Sequence, residues 1–558
     1  MLSYAHGAWP APLLGETIGD NLGRTVALFP DADALISCHQ GVRYSYGELE
    51  QAVDRLASAL LAQGLRQGDR VGVWSPNRFE WTLVQYATAR LGVILVNINP
   101  AYRLTELEYA LGQSGCRWIF AAPGLRDADF VEMVRQVRAS LPELERAVFF
   151  GTDEWETLAS APADPDRLAT ARVQLEFDDP INLQYTSGTT GFPKGATLTH
   201  HNILNNGYFV AELLHYTEAD RVCIPVPLYH CFGMVMGNLG ATTHGACIVY
   251  PAESFDPEAT LQACTDESCT SLYGVPTMFI AQLAHPRFGE FDLSALRTGI
   301  MAGSPCPTEV MKQVIDRMHM AEVAICYGMT ETSPVSTQTG SDDDPDRRTA
   351  TVGRVHPHLE IRVTDPQSGQ TLPRGEAGEL QTRGYSVMSG YWKDPERTAE
   401  AIDPQRWMRT GDLATMDDEG YVRVVGRIKD MIIRGGENVY PREIEEFLYT
   451  HPQIADVQVI GVPDERYGEE SMAWVRRRTG ATLTEEAVRE FCRDQIAHFK
   501  VPRYVRFVDS FPMTVTGKVQ KFKLREAAIE ELGLPAGAHA PLATPPGDRA
   551  PTARRGAP

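Results

Sequence analysis

Short apolar runs alternate with segments of helical periodicity through the first quarter of this 558-residue chain, and that alternation restricts the fold more than any other feature. Ser45 and Glu48 form a capping box ahead of an apolar helical face at Leu49, Val53, Leu56 and Leu60. Residues 70–74 then read as a buried strand, 79–91 as a helix that Gly92 would end, and 93–98 as a strand. Thr105 with Glu108 predicts the cap of another helix, and 117–122 is strand-like again. Strands separated by helices run parallel, because a crossover returns the chain to the same end of the sheet. The pattern therefore predicts a largely parallel sheet covered by helices.

Farther along, the spacing changes. Over residues 352–426 short strands and turns replace the helices, as at 359–364, 378–382 and 420–425, which predicts a small β-rich subdomain. After Gly426, helical periodicity at 442–450 and 484–496 mixes with strands at 457–462, 472–476 and 503–508, an α+β unit of about 100 residues. Beyond Gly533 the chain is mostly Ala, Pro, Gly and Arg without apolar periodicity, and the expectation is a disordered tail over 531–558.

Composition excludes several partners. With 52 basic and 73 acidic residues the formal charge is −21, so nucleic acid and anionic membrane surfaces are repelled on average, while a nucleotide could enter a locally positive pocket. The start of the chain has no basic stretch followed by an apolar run, and no succession of about 18 apolar residues occurs. A soluble, cytoplasmic protein without an integral membrane segment is expected. The ten cysteines include no Cys-x-x-Cys pair and read as reduced core or pocket residues rather than zinc ligands or disulfides.

One segment carries chemistry. Tyr185-Thr-Ser-Gly-Thr-Thr-Gly-Phe-Pro-Lys-Gly195 has three glycines (Gly188, Gly191, Gly195) that let backbone N–H groups turn toward one point. The hydroxyls of Thr186, Ser187, Thr189 and Thr190 and the Lys194 charge add donors for polyphosphate. The P-loop spacing fails, because five residues after Gly188 comes Pro193 and Gly195 follows Lys194. A Gly/Ser/Thr surface linker is the competing reading of the segment taken alone.

Six further motifs follow in order: Pro227-Leu-Tyr-His-Cys-Phe-Gly233, Ala302-Gly-Ser-Pro305, Tyr327-Gly-Met-Thr-Glu331, Thr410-Gly-Asp412, Gly426-Arg-Ile-Lys-Asp-Met-Ile-Ile-Arg-Gly-Gly-Glu-Asn438 and Pro512-Met-Thr-Val-Thr-Gly-Lys518. Together with the 185–195 loop, this ordered set resembles the adenylate-forming superfamily of acyl-CoA synthetases, nonribosomal adenylation domains and firefly luciferase, over residues 20 to 530. Asn97-Ile-Asn-Pro-Ala-Tyr-Arg103, Leu272-Tyr-Gly-Val-Pro-Thr-Met-Phe279 and Gln520-Lys-Phe-Lys-Leu-Arg525 are similar to the medium-chain acyl-CoA synthetases of the family-member-2 type and to bacterial fatty-acid–CoA ligases.

The resemblance implies an α/β fold: a large N-terminal AMP-binding domain (1–428) of two α/β sheet subdomains plus the small β-rich subdomain, and a smaller mobile α+β C-terminal lid (429–530) hinged at Lys429. It implies ATP, Mg²⁺ and CoA as cofactors and a small-molecule carboxylic acid as substrate. A carboxylate is a poor acyl donor until it attacks the α-phosphate of ATP, and bringing those anions together demands alignment and fixed positive charge. By resemblance the 185–195 loop holds the β- and γ-phosphates, Glu331 holds Mg²⁺, Thr330 meets the α-phosphate and Lys518 is the catalytic cation. Asp412 accepts from the ribose hydroxyls, Arg427 adds a ribose or phosphate contact, and Tyr327 stacks on adenine. Gly303, Ser304 and Pro305 read the base edge, with Gly328 and Met329 beside them.

The resemblance also implies that His230 borders the carboxylate end of the acyl pocket and changes orientation between the two half-reactions. After the lid rotates, Gly435, Gly436 and Glu437 would line a CoA channel. Phe232, Gly233, Met234, Gly237, Tyr273, Gly274, Val275, Met301 and Met329 lie in segments that line the acyl pocket in relatives, and Gly274 is expected to leave extra depth. These residues include no lysine or carboxylate for a charged substrate tail, and methionines favour a flexible alkyl chain, hence a medium-chain fatty acid. Aryl or short branched-chain acids, delivery to a carrier protein, a luciferase-like oxidoreductase and a nucleotide sensor are the alternatives. A sensor is expected to lack Lys518 or Glu331, and both are present. A homodimer is one option for assembly.

Overall fold

The computed structural model describes residues 1–186, 193–435, 437–493, 495–514 and 518–534. The chain divides into two compact units, Met1–Lys429 with Met513–Val519, and Asp430–Pro512 with the chain from Gln520 on. An unbroken second domain over 429–530 was the expectation. Residues 513–519 instead group with the first unit, where Lys518 has its electrostatic neighbours.

Among the described residues, three large sheets build the first unit. One orders Gly390–Tyr391, Lys194–Thr199, Pro180–Thr186, Ile94–Ile98, Arg70–Trp74, Trp118–Ala121 and Arg146–Phe149, parallel from Pro180–Thr186 onward. A second has a parallel centre running from Glu322–Gly328 through Thr298–Ala302, Ser271–Gly274, Arg221–Cys223 and Cys247–Tyr250 to Asp33–Ser37. The third is the antiparallel β-rich subdomain, Tyr4–His6, Leu359–Thr364, Gly378–Gly384, Met408–Met416 and Val422–Arg427. Its first strand is three residues long, too short for alternation to announce it.

The two α/β sheets share a core. Val71 and Leu95 from one and Val222 and Ile248 from the other belong to a single apolar cluster with Leu56, Val84 and Val210 from helices. Each such buried side chain stabilises by roughly 1.5–3 kcal/mol. The helix Tyr46–Ala62 begins at the expected capping box: the Glu48 N–H donates to Ser45 Oγ and the Ser45 N–H to the Glu48 carboxylate. Phe79–Leu91 is buried on nearly every side and stops at Gly92, whose φ of 65° is open to glycine without steric penalty. The cap predicted at Thr105 is displaced. The helix is Leu104–Ser114, and its box is closed by Glu106 accepting from the Arg103 N–H at 3.0 Å.

In the second unit, Pro441–Tyr449 and Glu485–Cys492 accompany a sheet of Glu437–Val439, Ile432–Arg434, Gly468–Arg477, Ile454–Asp464 and Tyr504–Phe507. Ile444, Leu448, Val457, Val475 and Val488 form its core. The helix expected over 484–496 ends at Cys492 because Arg493 turns extended, and Ile496 packs on the core from the connection that follows. Helix Lys521–Leu532 reaches two residues past the expected start of the tail and ends at Gly533 with φ 60°. Residues 535–558 lie outside the described residues.

Candidate active site

The polyphosphate loop springs from a β-hairpin. Pro180–Thr186 and Lys194–Thr199 pair antiparallel with Tyr185 opposite Gly195 and Thr186 opposite Lys194, so the two chain ends of the loop are fixed. Ser187, Gly188, Thr189, Thr190 and Gly191 lie outside the described residues, as do Gly436 and the Thr516-Gly517 pair before Lys518. At the hairpin base the Tyr185 hydroxyl donates to Gln113 Oε1 at 2.5 Å, and the Lys194 ammonium lies 4.8 Å from the centre of the Tyr391 ring.

Tyr391 links that lysine to the expected metal ligand. Glu331 sits in the 3₁₀ turn Thr330–Thr332, where it is buried, and its backbone carbonyl accepts from the Met388 N–H at 2.9 Å. Its Oε1 accepts from the Tyr391 hydroxyl at 2.8 Å and from Thr186 Oγ1 at 3.4 Å, so Oε2 takes no part in either bond. A carboxylate oxygen beside a threonine hydroxyl is an all-oxygen donor set suited to a hard divalent cation.

A second carboxylate is equally well placed. Asp412 follows Gly411, whose φ is 70°, and its N–H donates to Thr410 Oγ1 at 3.1 Å. The Tyr327 hydroxyl donates to Asp412 Oδ2 at 2.7 Å, while Arg427 Nε lies 3.2 Å from Oδ1 across the strand pair. Burial, and then the Asp412 charge, hold the Tyr327 phenol well above its ordinary range, so it stays a donor. Orienting Asp412 is thus a role of Tyr327 beyond the expected stacking.

Lys518 lies beside this pair. Its N–H donates to Thr514 Oγ1 at 2.9 Å, and its Cε is 3.8 Å from where a Cβ on Gly303 would stand. Desolvation, then Arg427, lower its ammonium below the ordinary value; Asp412 and Glu331 pull the other way. The carboxylates that would bind ribose and metal are therefore electrostatic neighbours of the same lysine. His230 also faces it: burial, then the Lys518 charge, lower the imidazole to about 3. The neutral ring accepts from the Phe232 N–H at Nδ1, 3.1 Å, which places its own proton on Nε2.

Three buried amides hold the segment that carries His230. Asn77 donates to the Val226 carbonyl and accepts from the Leu228 N–H, both at 2.9 Å. Asn97 donates to the Tyr229 carbonyl at 3.1 Å, and Gln184 Oε1 accepts from the Cys231 N–H at 3.1 Å. Sequence reasoning gave Asn77 and Gln184 no role. Their signal was an amide inside an otherwise apolar strand or turn, a group that must find a buried partner.

The expected acyl-pocket residues are only partly gathered. Phe232, Gly233, Met234 and Gly237 all lie on the buried π-helix Phe232–Leu239, and Phe232 stacks on Tyr273 with centroids 5.6 Å apart. Met301 belongs to a different apolar cluster, with Leu272 and Phe279. Met329 is half-buried against the cluster that holds Phe232, Met234, Tyr273 and Val275. The depth expected at Gly274 is not there, because a Cβ would meet Phe279 Cε2 at 2.9 Å. A Cβ on Gly233 would likewise meet Pro227 O at 2.4 Å and one on Gly237 would meet Ile224 Cδ1 at 2.7 Å, so both serve close packing. Gly303 and Pro305 are exposed, with Ser304 half-buried between them, and Gly328 is exposed too, as a face offered to a base requires.

The long segment of the first unit ends at Lys429. Within the second, Ile432–Arg434 and Glu437–Val439 form a hairpin with Gly435 at φ 60° and Glu437 exposed. Arg434 makes a fork to the buried Glu470, at 2.7 and 2.9 Å, and lies over Tyr467.

A large α/β unit whose buried Glu331 and Asp412 face one lysine, followed by a smaller α+β unit, defines an adenylate-forming enzyme. The AMP-binding enzyme model matches residues 22–392, and the model of the AMP-binding enzyme C-terminal domain matches 443–518. The chain belongs to the AMP-binding enzyme family. It is 44% identical to the medium-chain acyl-CoA ligase ACSF2, mitochondrial, of Danio rerio, over 95% of this chain and 91% of that protein. It is 40% identical to the Homo sapiens protein of the same name, over 96% and 91%. The crystal structure of ATP-bound MatB from Rhodopseudomonas palustris superimposes with a TM-score of 0.81 at 32% identity, covering 91% of this chain and 99% of that one.

Proposed function

We infer that this chain is an AMP-forming acyl-CoA ligase that activates a medium-chain carboxylic acid as its adenylate and passes the acyl group to CoA. The observation that carries the reading is the convergence of Glu331, Asp412, Arg427 and His230 on the ammonium of Lys518. Asp412, held by Tyr327 and Arg427, keeps lone pairs for the ribose hydroxyls. Lys518 would meet the α-phosphate and carboxylate oxygens as they approach, where a compact charge offsets the repulsion between two anions. Glu331, through Oε2 and with Thr186 near, would hold Mg²⁺, which when bound screens phosphate charge. His230, neutral and with its proton on Nε2, would offer a donor at the carboxylate end of the acyl site without adding charge.

For the second half-reaction, Lys429 would serve as the hinge, and the Arg434–Asn438 hairpin with Gly435, Gly436 and Glu437 would border the path of the thiol arm. Medium chain length rests on the names of the ACSF2 relatives and on the apolar residues around Phe232 and Tyr273. No described helix is long and apolar enough to cross a membrane. The sequence reading of a cytoplasmic protein stands beside vertebrate relatives named as mitochondrial.

The test mixes the protein with ATP, Mg²⁺, octanoate and CoA and follows pyrophosphate and AMP separately. Pyrophosphate should appear with acid alone and AMP turnover only once CoA is added; ADP as product would refute an adenylate. In a chain-length series, an optimum at acetate or benzoate would sink the medium-chain assignment. Lys518→Ala should lose adenylation by orders of magnitude yet retain much of the thioester step from preformed adenylate. Equal loss of both would remove the lid-rotation account.

A further inference from the structure

Apart from the active site, three cysteine sulfurs converge in the second α/β sheet. Cys223 ends the strand Arg221–Cys223, Cys264 lies on the helix Pro257–Asp266, and Cys269 stands in the turn that returns the chain to the strand Ser271–Gly274. All three are buried, and their sulfurs lie within 4.8 Å of one another. Three thiolates around one metal ion, at about 2.3 Å each, stand roughly 4 Å apart. The trio therefore needs only small rotamer adjustments to enclose an ion. The turn is already held in place, with the Cys269 N–H donating to the Cys264 carbonyl at 3.0 Å.

A second observation points to the same place. Arg221, two residues before Cys223, bonds Asp33 at 3.1 Å and Glu267 at 2.8 Å through its Nη atoms, but its Nε is buried with no hydrogen-bond partner among the described residues. Its charge acts on the sulfurs of Cys269 and Cys247. A buried N–H without an acceptor is costly, and negative charge on Cys269, which feels the Arg221 charge, would offset part of that cost.

We propose that Cys223, Cys264 and Cys269 form a binding site for one thiophilic monovalent metal ion of the copper(I) class, with Arg221 offsetting the thiolate charge. No fourth His, Asp, Glu or Cys ligand atom joins the group among the described residues. Structural zinc takes four ligands, whereas soft thiolate sets select copper(I). Binding is a coordination step: three S–H groups release three protons to solvent, three S–metal bonds form, and the oxidation state is unchanged. The ion would tie the helix and turn to the strand that leads toward His230, so its effect is on stability and not on the reaction.

Anaerobic titration of the full chain with copper(I) against a chromogenic copper(I) chelator tests the site. The wild type should retain one equivalent with proton release, and its melting temperature should rise. Cys264→Ala and Cys223→Ala/Cys269→Ala should release that equivalent, while Cys306→Ala, at a buried thiol outside the trio, keeps it. Wild-type protein that yields all its copper to the chelator overturns the site, whatever the variants do. So does retention lost on replacing the exposed Cys38 alone, and so does zinc held more tightly than copper(I).

Discussion

At the scale of single residues, the site depends on side chains that hold other side chains in place. Tyr391 is the clearest: its hydroxyl fixes Glu331 and its ring faces Lys194. A hydrogen bond to a charged group contributes about 1.5–3 kcal/mol, so Tyr391→Phe should raise the Mg²⁺ concentration for half-maximal pyrophosphate exchange roughly tenfold or more. The KM for the acid should stay unchanged, and an unaltered Mg²⁺ dependence would exclude the positioning role. Lys518 makes a second prediction. Because its ammonium titrates below the ordinary 10.5, kcat/KM for ATP should fall on the alkaline side at a pH lower than a solvated lysine would give. Lys518→Arg keeps the charge, so that limb should vanish in the slower variant; if it persists, another group owns it. Glu331, Asp412 and Lys518 were legible in the sequence because their motifs are contiguous. Tyr391 was not, since its bond spans 60 positions that no local spacing relates.

At the scale of elements, local signals served best where a helix end or strand is self-determined. Ser45 and Glu48 announce their helix because both bonds of the box close within four residues. Ser45→Ala should therefore lower stability by about 1 kcal/mol, read as a shift in urea midpoint with unchanged slope and unchanged activity. The π-helix Phe232–Leu239 gave no such signal, since its shape answers to packing: Gly237 meets Ile224 and Gly233 meets Pro227 O. The same physics made Gly274 misleading, because a missing side chain in the sequence leaves space only if no neighbour fills it, and Phe279 does. The Tyr4–His6 strand and the grouping of 513–519 with the first unit depend on partners far away in the chain. Periodicity reads neither.

At the scale of the whole molecule, the large core buries histidines as well as apolar groups, and that sets how the protein meets acid. His200 accepts from the Ile18 N–H through Nδ1 at 3.2 Å, and burial lowers its imidazole to about 4; burial alone lowers that of His356 to about 3. In the unfolded chain both titrate near 6.5. The folded pKa values are depressed, so the unfolded state binds more protons below 6.5. The associated stability is thus fully present above pH 6.5 and is lost as the pH falls toward 4. Each histidine contributes a slope of roughly 1.4 kcal/mol per pH unit within that window. Urea unfolding followed between pH 7 and 5, above the range where carboxylates titrate, should show the midpoint falling with pH. His356→Asn should remove one histidine's share of that slope, about 1.4 kcal/mol per pH unit, while the other buried rings, His200 and His230, still titrate. An acid dependence identical in wild type and variant would mean that His356 reaches a proton in the folded state, and that its surroundings, Phe209 and Tyr385 among them, are open to water there.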